Sequence, residues 1–101
     1  MGLKALSLDQ DPNTHGLGFL QAAPFQLKVF VRNFRVCLWG DQGLPDADCD
    51  EDNPPIHCTP DAIEGSTKVF ISGIGVHRDG DLRSCGATTV SYPFNSKVFV
   101  G

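Results

Sequence analysis

Three histidines and one cysteine are the residues of this chain best suited to bind a metal, and they lie in three separate parts of the sequence. His15 precedes Val29 by 14 residues, and His57 precedes Val69 by 12 residues. Because Val29 and Val69 begin two similar segments, we expect the two histidines to meet at one end of the molecule. Three imidazoles and one thiolate form a closed, tetrahedral zinc site with a structural role. The predicted ligands are His15, His57, His77 and Cys85.

The predicted histidine ligands could have other roles, and other cysteines could replace the predicted cysteine ligand. An isolated histidine is more often a surface or core residue than a ligand, and His77 lies in a predicted strand where it could face solvent. Cys58 adjoins His57, and Cys37 lies 40 residues before His77 in the equivalent place of the other copy. Either thiol is therefore an alternative to the predicted cysteine ligand.

The four cysteines are compatible with disulfides or with reduced thiols. The N-terminal segment lacks the long apolar stretch and the small-residue cleavage site of a signal peptide. We therefore expect the chain to be made in the cytoplasm, with Cys37, Cys49 and Cys58 as free thiols. A Cys49–Cys58 disulfide, which would close a short loop, is the alternative.

The elements that must position these residues are copies of one repeat. The segment Lys28–Val31 recurs 40 residues later as Lys68–Ile71 and again as Lys97–Val100, and Gly40-Asp41 recurs at the same offset as Gly80-Asp81. β-Branched and aromatic residues followed by a turn and a second short strand predict a β-hairpin in the first two copies. The predicted turns are Arg32-Asn33 and Ser72-Gly73.

The composition predicts an all-β fold, because seven prolines and eleven glycines leave little room for helices. We expect one domain over residues 1–101, with a leader at 1–13, repeats at about 14–49 and 55–86, and a partial repeat at 90–101. A domain of this size has a thin core and needs a further cross-link such as a metal. Three strands around a common axis would bury Phe30, Phe70 and Phe99 against one another.

Charge and motif content argue against several classes of function. The net charge of −4 argues against nucleic acid as a partner, and no apolar run reaches the roughly 20 residues of a membrane span. Asp46–Asp52 predicts a solvated acidic loop, because Glu51 and His57 stand where a calcium loop needs glycine and a carboxylate. The sequence has no recognisable nucleophile–base signature, so we expect no enzymatic activity.

These motifs resemble those of the PAAR-repeat family over nearly the whole chain. The matching segments are Thr14–Gly16, Gly65–Gly73, Val76–Asp81, Ser84–Gly86 and Lys97–Gly101, whereas Asn33–Trp39 departs from the family pattern. The resemblance implies a small, cone-shaped β-prism of three pseudo-symmetric hairpin repeats, with a zinc ion held by three histidines and one cysteine at its apex. It also implies that the broad base stacks on the blunt end of a trimeric β-helical spike, in a phage tail or a type VI secretion system.

On this interpretation the protein is a structural tip that sharpens a membrane-piercing spike, with one chain per trimer and transient contact with the target cell envelope. It would be assembled into a virion tail or secreted with the spike. The residues expected to contact the spike flank the phenylalanines and are Val29, Val31, Val69, Ile71, Val98 and Val100. The main alternative is a small secreted binding domain stabilised by zinc or a disulfide; a third is a small enzyme that uses Cys85 and a histidine.

Overall fold

The structure is a computed structural model that describes residues 3–22, 29–31, 33–49, 55–91 and 98–101. These residues form very short strands and one 3-10 turn, and they contain no α-helix, in agreement with the predicted all-β class. The strands are β1 (Lys4–Ala5), β2 (Leu20–Gln21), β3 (Phe30–Val31), β4 (Phe34–Arg35), β5 (Gln42–Gly43), β6 (Phe70–Ile71), β7 (Ile74–Gly75) and β8 (Phe99–Val100). The 3-10 turn is Pro55–Cys58.

No helix in the described part of the chain has the length and apolar character needed to cross a membrane.

Three antiparallel hairpins share one register. β3 pairs with β4 so that Val31 lies opposite Phe34, and β6 pairs with β7 so that Ile71 lies opposite Ile74. The third pair has the same register but no connecting turn, because it is formed by β1 and β8 with Val100 opposite Lys4, and we call it the third hairpin by analogy with the other two. Part of the segment 1–13, expected as a leader, thus supplies the strand that completes the partial third repeat. Lys28, Arg32 and Lys97 of the repeat motif lie outside the described residues.

Beyond the hairpins, the three copies are joined by a closed ring of backbone hydrogen bonds. The Ser7 N–H donates to the His77 carbonyl, the His77 N–H donates to the Cys37 carbonyl, and the Cys37 N–H donates to the Ser7 carbonyl, each at 2.9 Å. These three residues therefore occupy equivalent positions. The offset of 40 residues that relates Cys37 to His77 in the sequence corresponds to this structural equivalence.

A turn with a buried aspartate follows the ring in every copy. The turns are Leu8–Asp11, Leu38–Asp41 and Arg78–Asp81, and in each the carboxylate accepts the N–H of the first residue, at 2.7, 2.8 and 2.9 Å. The third residue has a positive φ, which glycine adopts at Gly40 and Gly80 without steric cost, whereas the first turn uses Gln10 with a φ of 78°. Because Gln-Asp replaces Gly-Asp there, the first turn is not recognisable from the repeat motif.

The core lies between the three copies and is aliphatic. Its buried residues are Leu6, Leu8, Val36, Leu38 and Val76, and Val31, Ile71, Ile74, Val98 and Val100 pack against them while partly exposed. Because successive side chains of a strand point to opposite faces, the phenylalanines next to Val31, Ile71 and Val100 point away from the core. Phe30, Phe70 and Phe99 are 49%, 54% and 41% exposed, so the prediction that they form the core is wrong.

Four of the six residues expected to contact a partner pack against the core. Val31, Ile71, Val98 and Val100 touch the core cluster, and each keeps part of its surface exposed. Val29 and Val69 are 37% and 36% exposed. The most exposed apolar side chains of the three hairpins are instead the phenylalanines.

Arg83 is fully buried and connects all three copies. Its Nη1 donates to the carbonyls of Gly18 and Pro60 at 2.8 and 2.9 Å, its Nη2 donates to the carbonyl of Asp11 at 3.1 Å, and its Nε donates to Thr89 Oγ1 at 2.5 Å. Burial lowers the pKa of Arg83 to about 10, so the guanidinium remains charged at neutral pH. A single cation thus satisfies buried acceptors from every repeat.

Candidate metal centre

Three equivalent four-residue turns surround the candidate site. They are Asn13–Gly16, Asp46–Cys49 and Arg83–Gly86, each closed by a hydrogen bond from the fourth N–H to the first carbonyl, at 3.0, 3.1 and 3.0 Å. Hydrogen bonds also connect the turns to their neighbours: Ala47 N–H donates to the Gly16 carbonyl, and Thr14 N–H donates to the Thr88 carbonyl, both at 2.9 Å. The turns therefore hold their side chains in a fixed relation to one another.

Four potential ligands converge where these turns meet. They are His15, Asp46, His57 and Cys85, whose ligand atoms all lie within 4.8 Å of one another. His15 and Cys85 occupy the third position of their turns, and Asp46 occupies the first position of the turn between them. His57 comes from the 3-10 turn, and its ring centroid lies 4.8 Å from that of His15.

One oxygen of Asp46 is the centre of this group. Its Oδ2 lies 3.2 Å from His15 Nδ1, 3.3 Å from His57 Nδ1 and 3.5 Å from Cys85 Sγ, and it also accepts from Asn13 Nδ2 at 3.1 Å. A carboxylate oxygen offers about two lone-pair sites. Four polar neighbours therefore exceed what this oxygen can satisfy by hydrogen bonding alone.

The donor set fits a tetrahedral cation. Zinc bonds of about 2.0–2.3 Å to nitrogen, oxygen and sulfur place neighbouring ligand atoms roughly 3.3–3.8 Å apart. The three distances from Asp46 Oδ2 to the other ligands, 3.2–3.5 Å, and the 3.9 Å between Cys85 Sγ and His15 Nδ1 are close to this range. Two imidazoles, a carboxylate and a thiolate would each direct a lone pair at the ion and resolve the crowding around Asp46. This group can therefore hold a metal ion.

The protonation of the group is set by burial and by hydrogen bonds. Desolvation acts to raise the pKa of Asp46, but hydrogen bonds from the Asp48 backbone, Asn13 and the two histidines outweigh it and lower the pKa to about 2. Burial raises the pKa of the Cys85 thiol, and the neighbouring Asp46 carboxylate adds to this effect. Without a cation the thiol therefore keeps its proton and directs it at Asp46.

The structure brings together three of the four predicted ligands, His15, His57 and Cys85. The fourth member of the group is Asp46, which the sequence placed in a solvated loop but which is only 3% exposed. Its neighbour Asp48 has the expected solvent exposure and lies 3.7 Å from His15 Nδ1. Asn13 and Arg83 begin their turns two residues after Asp11 and Asp81, whereas Asp46 follows Asp41 by five residues, so the spacing gave no signal for Asp46.

His77 lies outside this group and is fully buried. Its Nδ1 is 2.6 Å from the carbonyl oxygen of Glu64, which can only accept, so Nδ1 carries the proton. Thr89 Oγ1 accepts from Arg83 Nε and directs its own proton at His77 Nε2, 2.6 Å away. Both ring nitrogens are thus engaged within the protein, and burial lowers the pKa of His77 to about 4. The structure assigns His77 a packing role in place of the predicted ligand role.

Two of the three cysteines that were predicted to be free thiols are joined to each other. Cys49 and Cys58 form a disulfide, so the expectation that both are free thiols is wrong. The Asp46 N–H donates to the His57 carbonyl at 2.9 Å, which brings the two ends of this loop together and explains why the cysteines meet. Cys37 and Cys85 are free and buried.

Comparison of the chain with protein-family models and with curated proteins gives no match.

Proposed function

We propose that this chain is a metal-stabilised cap that docks on the end of a trimeric β-structured spike, in the manner of PAAR-repeat tip proteins. The observation that supports this most directly is the ring formed by Ser7, Cys37 and His77, in which one chain repeats the same hydrogen bond three times. A single polypeptide with three equivalent hairpins can match a threefold-symmetric surface. On this proposal the described residues form a small, tapering β-prism.

The hairpin end is the docking surface in this proposal. Each of the three hairpins carries an exposed phenylalanine, and Val29 and Val69 lie beside two of them. Exposed apolar patches of this kind on small proteins mark interaction sites. Docking would bury these side chains and also cover strand edges that otherwise invite stray pairing.

The opposite end carries the metal in this proposal, since the site residues follow the ring in each repeat and the hairpins precede it. Zinc is the proposed ion, because two imidazoles, a thiolate and a carboxylate are ligands that it accepts in tetrahedral sites. Four protein ligands leave no open position for a substrate, so the role is structural. The ion would stabilise a domain whose aliphatic core is small, and no catalytic activity is proposed.

The zinc prediction concerns stoichiometry and ligand identity. Purified, oxidised protein should contain one zinc per chain by elemental mass spectrometry, and Asp46→Asn should lose the ion to a chelator that leaves wild-type protein loaded. The matched control is Asp48→Asn, which removes a neighbouring exposed carboxylate outside the group and should keep its zinc. Folded wild-type protein that stays metal-free after exposure to equimolar zinc would contradict this part of the proposal.

The docking prediction uses a trimeric β-helical spike protein encoded in the same genome as this chain. Co-expression should give a complex of one cap per trimer by native mass spectrometry. Phe70→Glu places a charge on an exposed hairpin residue and should abolish the complex. Gln42→Glu adds the same charge on β5, away from the hairpin end, and should leave it intact. Equal binding of both variants to the spike would contradict the proposed docking surface.

The disulfide favours a second candidate, a small extracellular binding domain stabilised by Cys49–Cys58 and a metal. Disulfides persist in oxidising compartments and are rare in the cytoplasm. This candidate has no requirement for a trimeric partner. Absence of any complex with the spike, combined with a retained disulfide and zinc, would favour it over the cap.

A further inference from the structure

The disulfide lies directly beside two of the four potential ligands. Cys49 follows Asp46 by three residues, and Cys58 follows His57 directly. The Cys49 N–H donates to the Asp46 carbonyl at 3.1 Å, and the Asp46 N–H donates to the His57 carbonyl at 2.9 Å. The disulfide and the Asp46–His57 backbone hydrogen bond thus join the segments that carry Asp46 and His57, and the other hydrogen bond closes the turn that holds Cys49.

His57 depends on this connection more than the other ligands do. His15 and Cys85 lie in turns that the hydrogen-bond network of the repeats fixes, whereas His57 lies in a four-residue 3-10 turn. Such short turns have little stability of their own. Beyond the disulfide and the contacts of the His57 ring with Asp46 and His15, this segment is held by the Asp46–His57 backbone bond and by hydrogen bonds at Thr59, whose carbonyl accepts from Ser84 Oγ at 3.1 Å.

We propose that the Cys49–Cys58 disulfide is a positioning cross-link of the metal centre, so that the thiol–disulfide state of this pair sets the affinity for the ion. The oxidised chain holds His57 next to Asp46 before the metal arrives, and binding then costs little ordering of the loop. Reduction by a small dithiol breaks the S–S bond, transfers two electrons and two protons to form two thiols, and converts the dithiol to its own disulfide. The freed loop must then be ordered on binding. This inference rests on the metal centre proposed above.

The test compares metal affinity in two forms that differ only in the cross-link. Oxidised wild-type protein and the double variant Cys49→Ser/Cys58→Ser are titrated with zinc against a chromophoric chelator, without any reductant that could bind the ion. We expect the double variant to bind one zinc with an affinity lower by about 10- to 100-fold, the range by which supporting interactions change metal sites. Cys37→Ser, which removes a buried free thiol outside the group, should bind like the wild type.

Cobalt provides a second readout, because its sulfur-to-metal absorption shows whether Cys85 is still a ligand, separately from how tightly the ion binds. The Co²⁺-loaded double variant should keep the sulfur-to-metal absorption of Cys85 but need a higher Co²⁺ concentration to reach it. Wild-type protein reduced by a dithiol and then desalted under argon should behave like the double variant.

Each remaining outcome is decisive. Equal affinity of the oxidised and serine forms overturns the positioning role and leaves the metal centre standing. Tighter binding by the reduced wild type than by the serine variant overturns it as well, because a released thiolate is then a ligand. Absence of zinc and cobalt binding by the oxidised wild type removes the metal centre itself, and this inference with it.

Discussion

Replacement of Arg83 by methionine should lower the free energy of unfolding by about 4 kcal/mol. The substitution removes hydrogen bonds to three buried carbonyls and to Thr89 Oγ1, and each buried acceptor left without a donor costs about 1–3 kcal/mol. Burial lowers the pKa of Arg83 to about 10, which corresponds to a desolvation cost of about 3 kcal/mol for the charged side chain in the folded wild type. The methionine variant does not have this cost. The four lost hydrogen bonds outweigh this gain, so the net effect is destabilising.

Urea unfolding followed by circular dichroism measures this effect. Arg83→Lys keeps the charge but lacks the planar fork that reaches three segments at once, so it should also be destabilised, by less than the methionine variant. Lys68→Met removes an exposed cation and should change stability by less than about 0.5 kcal/mol. A loss of under 1 kcal/mol for Arg83→Met would show that Arg83 does not hold the copies together.

Acidification from about pH 6.5 to pH 4 should cost the folded state about 3 kcal/mol through His77. Burial, together with the nearby Arg83 charge, lowers the pKa of His77 from 6.5 to about 4 and so favours its neutral form in the folded protein. Between these two pH values the unfolded chain binds a proton that the folded chain does not, so stability falls as the pH falls. A difference of about 2.5 pKa units corresponds to roughly 3 kcal/mol.

The contribution of His77 is isolated by comparison with His77→Gln, which does not titrate. The variant is expected to lose stability at pH 7 and to show a smaller decrease between pH 6.5 and pH 4 than the wild type. In the metal-free protein the lowered pKa of Asp46 gives a separate loss, which begins near pH 3.8 and continues to about pH 2. Nitrogen chemical shifts of His77 that change near pH 6.5 in the folded protein would contradict the prediction.

The repeat motif was sufficient to predict local structure. Val-Phe-Ile followed by Ser72-Gly73 gave the hairpin of β6 and β7, because strand propensity and turn chemistry act over a few residues. Gly40-Asp41 and Gly80-Asp81 gave two of the three aspartate turns for the same reason. The similar distances of His15 and His57 from their strands, 14 and 12 residues, also predicted that these residues meet.

The pattern could not show which face of each hairpin is buried. Val31 and Phe30 alternate in the strand, and either side chain could have faced the core. The aliphatic cluster of Leu6, Val36 and Val76 settles this choice, and Leu6 comes from the segment expected as a leader. The outward phenylalanines therefore follow from packing between copies and not from the composition of the strand.

The candidate metal site was likewise predicted in part from the sequence and decided in part by the tertiary structure. The types and spacing of His15, His57 and Cys85 are properties of the sequence, and they predicted a site formed by separate parts of the chain. Only the tertiary structure shows that Asp46, and not His77, belongs to the group. Glu64 and Thr89 form hydrogen bonds with the two ring nitrogens of His77. Three turns meet around the Asp46 carboxylate. The Cys49–Cys58 disulfide likewise requires the two ends of a loop to meet, and the hydrogen bond from the Asp46 N–H to the His57 carbonyl holds them together in the folded chain.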